Sequence, residues 1–499
     1  MSLWFGHDAI PWQTKVIDEF GSIIRLTGFL GEHFISIADP KALYEILIKD
    51  QDTFEEHEGV REYARLVSGG VGLPSAMGDV HFKQRKLMNP AFSVTHMRRM
   101  LPLFQSLTAQ MIERIHEEIK GQAQETDMSN YIGRLALELI AQAGFGHSFG
   151  ALDGRSDDDY SVTLRNFAPA TGQIEMWFPL IPLLTRYIPG YVLRFIGDRL
   201  PWPALHEVMR ISDKLQATSL EVWEEKKRLH MLGDKSVVNE QGEGKDIMSI
   251  LLRANAAASV NERLSDSELL AQISGFTIAG SDTTSNTINR MMYLLATHPE
   301  VQEKLRHELV EAGAGSDDMK YDDITSLPYL EAVCRETLRL YPAGPFVLRR
   351  CTKDTVLPLS RPYTDVRGKE QKELFIPGGT TIVVAVQAVN RDKAIWGPDA
   401  HDWNPDRWMK PLPDTVAAAR IPGIYSNTLT FVGGHRACIG FKFAQLEMKV
   451  VLSKVIPAFR FAPSEKQEVT WRFGVLVTPS VKGSTTNRPD LPLQLTPIL

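Results

Sequence analysis

The residues best suited to chemistry lie in one short segment, residues 431–440, with the sequence Phe-Val-Gly-Gly-His-Arg-Ala-Cys-Ile-Gly. Its cysteine, Cys438, closely precedes residues 441–455, whose apolar spacing predicts a helix. Unpaired N–H groups and the positive dipole end at the start of a helix favour the thiolate form of a cysteine. The glycines Gly434 and Gly440 let the backbone turn sharply and approach a flat, bulky group.

The neighbours of this cysteine favour a role as a ligand. Phe431 can pack beside the sulfur and exclude water, and Arg436 places a cation close by. A zinc site could use the pair His435 and Cys438, but structural zinc takes four ligands and no second pair lies nearby in the sequence. A buried structural cysteine is the other alternative, and it leaves the spacing of glycine, phenylalanine and arginine unexplained. The segment therefore predicts one shielded, anionic sulfur ligand.

A second group of polar residues lies in a long predicted helix. The helix starts at a capping box, in which Ser265 and Glu268 satisfy each other's backbone N–H groups, and it continues to about Ala296. Within it, residues 279–284 read Ala-Gly-Ser-Asp-Thr-Thr. An acid and hydroxyl groups are poor helix formers and are costly to bury. Alone, this segment is compatible with a solvated polar face, a helix kink or a functional group.

The ten-residue cysteine segment matches the pattern Phe-x-x-Gly-x-Arg-x-Cys-x-Gly at every fixed position and resembles the haem-binding loop of the cytochrome P450 family. The resemblance extends over nearly the whole chain and is greatest to fungal microsomal members. It implies that Cys438 is the axial thiolate ligand, and the metal ligand, of a haem b iron. Glu336 to Arg339 is similar to the family's Glu-x-x-Arg helix, and Arg407 is the expected third member of a buried charge network.

The resemblance also assigns roles to the polar helix segment, which is similar to the family's oxygen-activation motif. Gly280 would let a ligand lie close to the helix, and Ala279 would line the pocket beside Thr284. Thr283 would donate a hydrogen bond to dioxygen, and Asp282 would connect it to a supply of protons. Asp282 and Thr283 are therefore the predicted catalytic residues.

Haem carries two propionates, which need cationic or hydrogen-bonding partners. The resemblance makes His81, Arg85, Arg350 and Arg436 the candidate partners of the propionates. Phe431, Gly434 and Gly440 of the cysteine loop are further residues expected to bind the haem. In the family the position of His81 is often tryptophan, which is a departure, although a histidine can still donate a hydrogen bond.

The patterning of the remaining chain predicts a mainly α fold with a small β-sheet region, in one catalytic domain over residues 1–499. Helices are expected over the segments 41–48, 101–144, 205–232, 246–256, 300–311 and 328–340, and strands over 21–30, 33–37, 346–350, 372–376 and 380–386. The polar segment 233–245 is expected to be an exposed loop.

Composition excludes several classes of protein. With 55 lysines and arginines against 61 acidic residues, the net charge of −6 gives no overall basic character for binding nucleic acid. A content of 43% hydrophobic and 23% charged residues excludes a wholly disordered chain. The cysteines Cys334, Cys351 and Cys438 are too few for a disulfide framework.

The resemblance implies a haem-thiolate monooxygenase that inserts one atom of dioxygen into a small apolar organic substrate. Because no dinucleotide fingerprint is complete, electrons are expected from NADPH through a separate cytochrome P450 reductase. A basic docking face for that partner is expected from Lys86, Arg98, Arg99, Lys442 and Lys449.

The alternatives to a monooxygenase are a haem-thiolate isomerase or dehydratase, which the intact Asp282–Thr283 pair disfavours, and a non-catalytic haem or ligand carrier. Substrate contacts are expected from residues 58–74, 166–178, 275–283, 343–348 and 473–477.

The sequence contains no signal peptide and no apolar stretch of ~20 residues, so the chain as given is expected to be soluble or peripheral. The family resemblance implies an endoplasmic reticulum membrane location, on the cytosolic face, if a native anchor has been removed. Residues 176–202 are apolar and aromatic with interspersed arginines; the preferred interpretation is a buried connection, and the alternative is a membrane-interface surface.

Overall fold

The computed structural model describes residues 9–28, 31–153, 159–231, 245–314, 319–365, 367–484, 486 and 488–498. The loop predicted at 233–245 lies outside these ranges except for its last residue.

Helices dominate the described residues, which confirms the predicted mainly α class. In chain order the first ten are α1 (Ala9–Phe20), α2 (Pro40–Tyr44), α3 (Glu58–Ser68), α4 (Gly78–Met88), α5 (Val94–Ile119), α6 (Met128–Phe145), α7 (Asp159–Arg165), α8 (Phe167–Ile174), α9 (Ile181–Tyr187) and α10 (Gly190–Gly197). The others are α11 (Pro203–Met231), α12 (Ile247–Ala257), α13 (Asp266–Thr297), α14 (Pro299–Glu311), α15 (Tyr321–Ser326), α16 (Pro328–Leu340), α17 (Val386–Asn390), α18 (Lys393–Trp396), α19 (Asp414–Ala419) and α20 (Phe441–Ala458).

The strands of the described residues lie mainly in three parts of the chain, residues 23–56, 347–384 and 459–497. They are β1 (Ile23–Thr27), β2 (His33–Ile37), β3 (Phe54–Glu56), β4 (Gln124–Asp127), β5 (Val347–Cys351), β6 (Thr355–Thr364), β7 (Glu370–Ile376), β8 (Thr381–Val384), β9 (Phe459–Pro463), β10 (Val469–Arg472), β11 (Thr478–Val481) and β12 (Pro492–Pro497).

Internal packing divides the chain into two compact units. The first comprises Met1–Val60, Arg335–Cys438 and Trp471–Thr478, and the second comprises Arg61–Cys334, Ile439–Thr470 and Pro479–Leu499. The single catalytic domain over residues 1–499 stays a prediction.

The first unit is built on a five-stranded mixed sheet in the order β1-β2-β8-β5-β3. β2 and β8 run parallel and the other pairs are antiparallel. All four residues of β8 are buried, as expected of a central strand covered on both faces. The core of the unit packs Ile37, Val384 and Trp396 together.

The second unit is helical, with α13 packed along α6 and α20 packed along α5. A three-stranded sheet, β4-β12-β9, closes its end. The predicted capping box at the start of α13 is present: Ser265 accepts from the N–H of Glu268, whose carboxylate accepts from the N–H of Ser265. The predicted extent of this helix is therefore confirmed.

Two expectations about helices and their surroundings were wrong. The stretch 101–144 is not one helix, because α5 ends at Lys120 in the left-handed region (φ 49°) and β4 follows before Asp127 caps α6. The segment 176–202 is not a buried connection: the side chains of Leu183, Tyr187, Tyr191 and Phe195 are at least half exposed. Apolar content alone does not distinguish a buried segment from an exposed apolar surface.

Candidate active site

The cysteine loop of the first unit is a tight turn that presents its sulfur outward. Residues Gly434–Arg436 form one turn of 3-10 helix, and the N–H of Ala437 donates to the carbonyl of Gly434 at 3.1 Å. The N–H of Cys438 donates to the carbonyl of Phe431 at 2.9 Å, which closes the loop. The Cys438 side chain is exposed and forms no disulfide.

Glycine is needed at Gly434 for two reasons. Its φ of 72° lies in the left-handed region, and an added Cβ would stand 1.8 Å from the carbonyl oxygen of Leu47. The next residue is held in the same place, because the N–H of His435 donates to the side chain of Gln51 at 2.9 Å. Gly440 also lies in a turn, as expected, but its φ is −86° and an added Cβ would lie 3.9 Å from Phe92, an ordinary contact, so this turn does not require glycine.

The first unit also contains a buried charge network. Glu336 and Arg339 are both completely buried and form an ion pair at 2.7 Å, and Arg407 reaches the same carboxylate at 3.2 Å. Trp408 adds an indole N–H donor to Glu336 at 2.9 Å. The network expected from the sequence is therefore present, and each of its charges has an opposite partner.

In the second unit, Asp282 is a buried acid in the middle of α13. One carboxylate oxygen, Oδ2, is buried without a hydrogen-bond partner. The Asp282 carboxylate accepts a hydrogen bond from the backbone N–H of Ala168, and the positive charge of Arg165 also acts on this carboxylate. Burial outweighs both and raises the pKa of Asp282 to about 7. A carboxyl group with such a pKa can hold or release a proton near neutral pH.

The neighbours of Asp282 on α13 differ in what they can do. Thr283 is half buried, and its hydroxyl donates to the carbonyl of Ala279 at 2.7 Å, so its oxygen keeps lone pairs for another donor. Packing explains the glycine at position 280, because an added Cβ on Gly280 would lie 2.8 Å from the side chain of Ile140 on α6. Close contact between the two helices therefore explains Gly280 without a ligand.

Two of the predicted propionate partners lie on α4 of the second unit. His81 is buried and Arg85 is half buried, four residues apart on one helical face. Between them Gln84 accepts a hydrogen bond from Gln272 at 3.0 Å and donates to Glu268 at 3.1 Å. These bonds fix α4 against α13.

The other two partners lie in the first unit. Arg350, on β5, donates to Glu32 at 3.1 Å and to Thr381 at 2.9 Å. Its positive charge is thus already paired with a carboxylate. Arg436 lies at the end of the turn that precedes Cys438 and is half buried.

Three of the five residues expected to form the basic docking face are paired with an acidic residue. Lys449 is wrong for such a face, because it is buried and pairs with Glu331 at 2.6 Å. Lys86 forms an ion pair with Glu262, and Arg98 forms one with Asp322. Among the five lysines and arginines expected to form the face, Arg99 is exposed and Lys442 half buried.

The donor set suits haem better than zinc. Over the described ranges, no group of three or more histidine, cysteine or acidic side chains could hold a metal ion. An exposed cysteine sulfur that belongs to no such group within the described residues suits an iron whose other ligands a porphyrin would supply. The residues of the loop therefore fit the group that the resemblance implies.

Comparison with known proteins agrees with this geometry. The sequence model described as Cytochrome P450 matches residues 1–486. The chain belongs to the cytochrome P450 family. Cytochrome P450 monooxygenase 91 of Postia placenta is 41% identical over 96% of this chain and 88% of its own length. A ganoderic acid synthetase of Ganoderma lucidum is 41% identical over 97% and 89%, and cytochrome P450 monooxygenase 212 of Postia placenta is 42% identical over 99% and 90%.

Membership of the cytochrome P450 family implies a haem cofactor, dioxygen, an organic substrate and a redox partner, and makes the protein a monooxygenase. Within the described ranges, no helix of this P450 is both long and apolar enough to cross a bilayer. Sequence reasoning missed Arg165 and Ala168, which act on Asp282. No local pattern marks them, because they reach α13 from a distant part of the sequence.

Proposed function

We propose that the protein hydroxylates, or oxidises in a related way, an apolar organic substrate with dioxygen, using electrons from NADPH through a separate cytochrome P450 reductase. The observation that carries the proposal is the exposed Cys438 sulfur at the end of a loop that matches the family pattern at every fixed position. Haem b bound there would supply the oxygen-activating chemistry. Within the first unit, Cys438 and Arg436 would hold it.

The chain's own contribution to the reaction is proton delivery. Asp282 holds or releases a proton close to neutral pH because burial raises its pKa to about 7. Thr283 is the next residue, and its hydroxyl oxygen can accept a hydrogen bond while its hydrogen is directed to Ala279. Asp282 is therefore the proposed proton source for general acid catalysis, and the predicted donation from Thr283 to dioxygen would require its hydroxyl hydrogen to turn away from Ala279.

Substrate selection is proposed to lie with segments that pack on one another within each unit. In the second unit, the ring of Tyr63 stacks on Phe178 at 4.5 Å and its hydroxyl pairs with Thr171 at 2.5 Å. In the first unit, Phe346 stacks on Phe473 at 6.1 Å. These aromatic groups favour an apolar substrate. One relative is named a ganoderic acid synthetase, which supports including precursors of that acid in a substrate screen.

The central test measures cofactor and turnover separately. Reduced protein treated with carbon monoxide should absorb at the red-shifted position typical of thiolate-ligated haem, and Cys438→Ala should lose stable haem. Thr283→Ala should keep haem and a substrate-induced spin change but release more peroxide per NADPH consumed. An unchanged product yield per NADPH in Thr283→Ala would contradict the proton role. Turnover of a hydroperoxide alone, with no activity from NADPH and reductase, would instead favour the isomerase or dehydratase alternative.

Docking of the reductase is proposed to use Arg99 and Lys442. Exposed charges steer association in a salt-dependent way. Arg99→Glu with Lys442→Glu should slow NADPH-driven reduction at low salt and leave haem content unchanged. Lys86→Glu is the comparison variant, because Lys86 already pairs with Glu262. Equal rates for the double variant and the wild type would refute this docking face.

Association with the endoplasmic reticulum membrane is proposed to use an exposed apolar surface on α9 and α10. Tyr187 is 69% exposed and Tyr191 78% exposed. The Arg199 guanidinium lies 3.5 Å from the centre of the Phe195 ring, which is itself 56% exposed. Aromatic rings beside arginine are typical of segments that lie in a membrane interface.

A flotation assay tests this surface. The protein should float with phosphatidylcholine vesicles that contain phosphatidylserine, and Tyr191→Asp with Phe195→Asp should reduce the bound fraction about tenfold or more. Val260→Asp is the matched control, because Val260 is 81% exposed but lies outside α9 and α10. Equal loss of binding in the control and the double variant would contradict the proposal.

A further inference from the structure

A cluster of charged and polar side chains lies where α7 meets α8, apart from the segments that match the family patterns. Its centre is Arg165, the last residue of α7, which is only 8% exposed. One guanidinium nitrogen, Nη1, donates to Asn130 at 2.5 Å, and the other, Nη2, donates to the carbonyl of Pro489 at 2.9 Å and to Asp127 at 3.4 Å. The remaining N–H, on Nε, is buried without a partner.

These bonds fix the chain immediately before α8. Asn166, the first residue after Arg165, occupies the N-cap position of α8 without capping the helix through its side chain. The N–H of Ala168, in the first turn of α8, interacts with the carboxylate of Asp282. The first turn of a helix has N–H groups that need an acceptor from elsewhere. Asp282 thus serves as that acceptor, and the position of α8 determines how this carboxylate is held.

Arg165 also acts on Asp282 through its charge. The field of its positive charge lowers the pKa of Asp282, against the larger effect of burial. Burial of Asp282 and of Arg165 leaves this field poorly screened by water. The positive charge favours the ionised carboxylate and so opposes the effect of burial.

Two acidic residues, Asp127 and Asp490, form a pair that interacts with the Arg165 guanidinium. Asp127 caps α6 and also accepts from the N–H of Leu491 at 3.0 Å. Its carboxylate shares a hydrogen bond with Asp490, whose pKa is raised to about 6 by burial and by Asp127. Glu125 acts on Asp490 too, and Arg134 and Arg488 act on Arg165. Ionisation of the acidic pair therefore sets how much of the arginine's charge is compensated.

We propose that Arg165 is a positioning residue for proton delivery: held by Asn130, Asp127 and the Pro489 carbonyl, it fixes the start of α8, and with it the Ala168 N–H, against Asp282. This inference rests on the proposed function of Asp282. It adds a residue that the family patterns do not assign, and it gives the half-buried acidic pair a role in adjusting the field of the Arg165 guanidinium.

The test follows the protonation of Asp282 directly. In the resting holoenzyme, the infrared band of a protonated carboxyl group that disappears in Asp282→Asn is titrated against pH. Removal of the positive charge in Arg165→Gln should move the midpoint of that band upward by about half to one pH unit. Arg165→Lys keeps the charge and should leave the midpoint near that of the wild type. An unchanged midpoint in Arg165→Gln would overturn the proposal.

Matched variants separate this role from a purely structural one. Arg134 donates to the same Asn130 side chain, at 3.2 Å, but it belongs to α6 and does not directly precede α8. Arg134→Gln should therefore leave the midpoint unchanged, and an equal shift in this variant would overturn the proposal. If Arg165→Gln does not fold, Asp490→Asn gives the opposite sign: loss of a negative charge beside Arg165 should lower the midpoint, and a rise would contradict the idea.

Failure of the proposed function would be recognised separately. A wild-type protein without the red-shifted carbon monoxide band would refute haem-thiolate ligation whatever the titration shows. A wild-type protein with that band and with NADPH-driven turnover, but with the same midpoint in Arg165→Gln, would refute only the positioning role.

Discussion

Replacement of Glu336 by alanine should be among the most destabilising single changes in the first unit. The carboxylate accepts from the Arg339 Nη2 and Nε at 2.7 and 2.8 Å, from Arg407 at 3.2 Å, from Trp408 at 2.9 Å and from the N–H of Asn404 at 3.1 Å. Without it, Arg339 keeps only backbone carbonyls, from Asn390, Ala400 and Asp402. A completely buried guanidinium would then lack an anion.

The expected magnitude follows from that loss. Removal of one member of a buried ion pair costs ~3–5 kcal/mol. Arg407 still has Asp399, at 2.8 Å, so the penalty comes mainly from Arg339. Against a total stability of ~5–15 kcal/mol, such a loss would leave much of the protein unfolded under mild heating. Glu336→Gln keeps the shape, but it also removes the anion and places an amide NH2 opposite N–H donors, so it should cost about as much, ~3–5 kcal/mol.

Urea unfolding followed by circular dichroism measures these differences, with haem content read from the same samples. Glu262→Ala is the control, because Glu262 forms an ion pair with Lys86 in which both side chains are about half exposed. It should change the free energy of unfolding by less than ~1 kcal/mol. A loss below ~1 kcal/mol for Glu336→Ala, comparable to the control, would refute the account of a charge network that needs every partner.

Three other outcomes follow from the structure. Gly434→Ala should abolish stable haem binding, since its Cβ would stand 1.8 Å from the Leu47 carbonyl, whereas Gly440→Ala should retain the carbon monoxide spectrum; equal spectra would contradict the argument. The wild-type product yield per NADPH should fall as pH rises through about 7, because the protonated form of Asp282 supplies the proton. Asp282→Asn should remove this pH dependence, and a retained fall would assign the pH dependence to another group. The pKa of Asp490 is raised to about 6, so the stability that it contributes when protonated is lost as pH rises from ~4 through 6. Asp490→Asn should therefore raise the free energy of unfolding at pH 8 by ~1 kcal/mol, a value reduced because water screens this half-exposed side chain, and leave it unchanged at pH 4; a decrease at pH 8 would refute this.

Local patterns predicted the parts of the fold that depend on neighbouring residues. The capping box at Ser265, the extent of α13 and the i, i+3 pair of Glu336 and Arg339 are all properties of one helix. Arg407 was expected as the third member because the family resemblance supplied a long-range contact that spacing alone does not give.

The features that sequence reasoning missed depend on packing between distant segments. The break between α5 and α6 is the exception, because it is local: Lys120 and Gly121 are both left-handed (φ 49° and 73°), and Gly121 is the signal in the sequence that could have indicated it. Burial of Lys449 depends on Glu331 on another helix. The contacts of Asp282 come from α7 and α8, more than a hundred positions earlier in the chain, so no periodicity within α13 could indicate them.

The attachment of the cysteine loop to Leu47 and Gln51 has a consequence for the order of biosynthesis. The hydrogen bond from His435 to Gln51 joins residues 384 positions apart. At ~5–20 residues per second, a ribosome needs about 20–80 s to make the chain between them. Leu47 and Gln51 are therefore made that long before the loop that packs on them, so cofactor capture by Cys438 belongs to the final stage of synthesis or to the period after release.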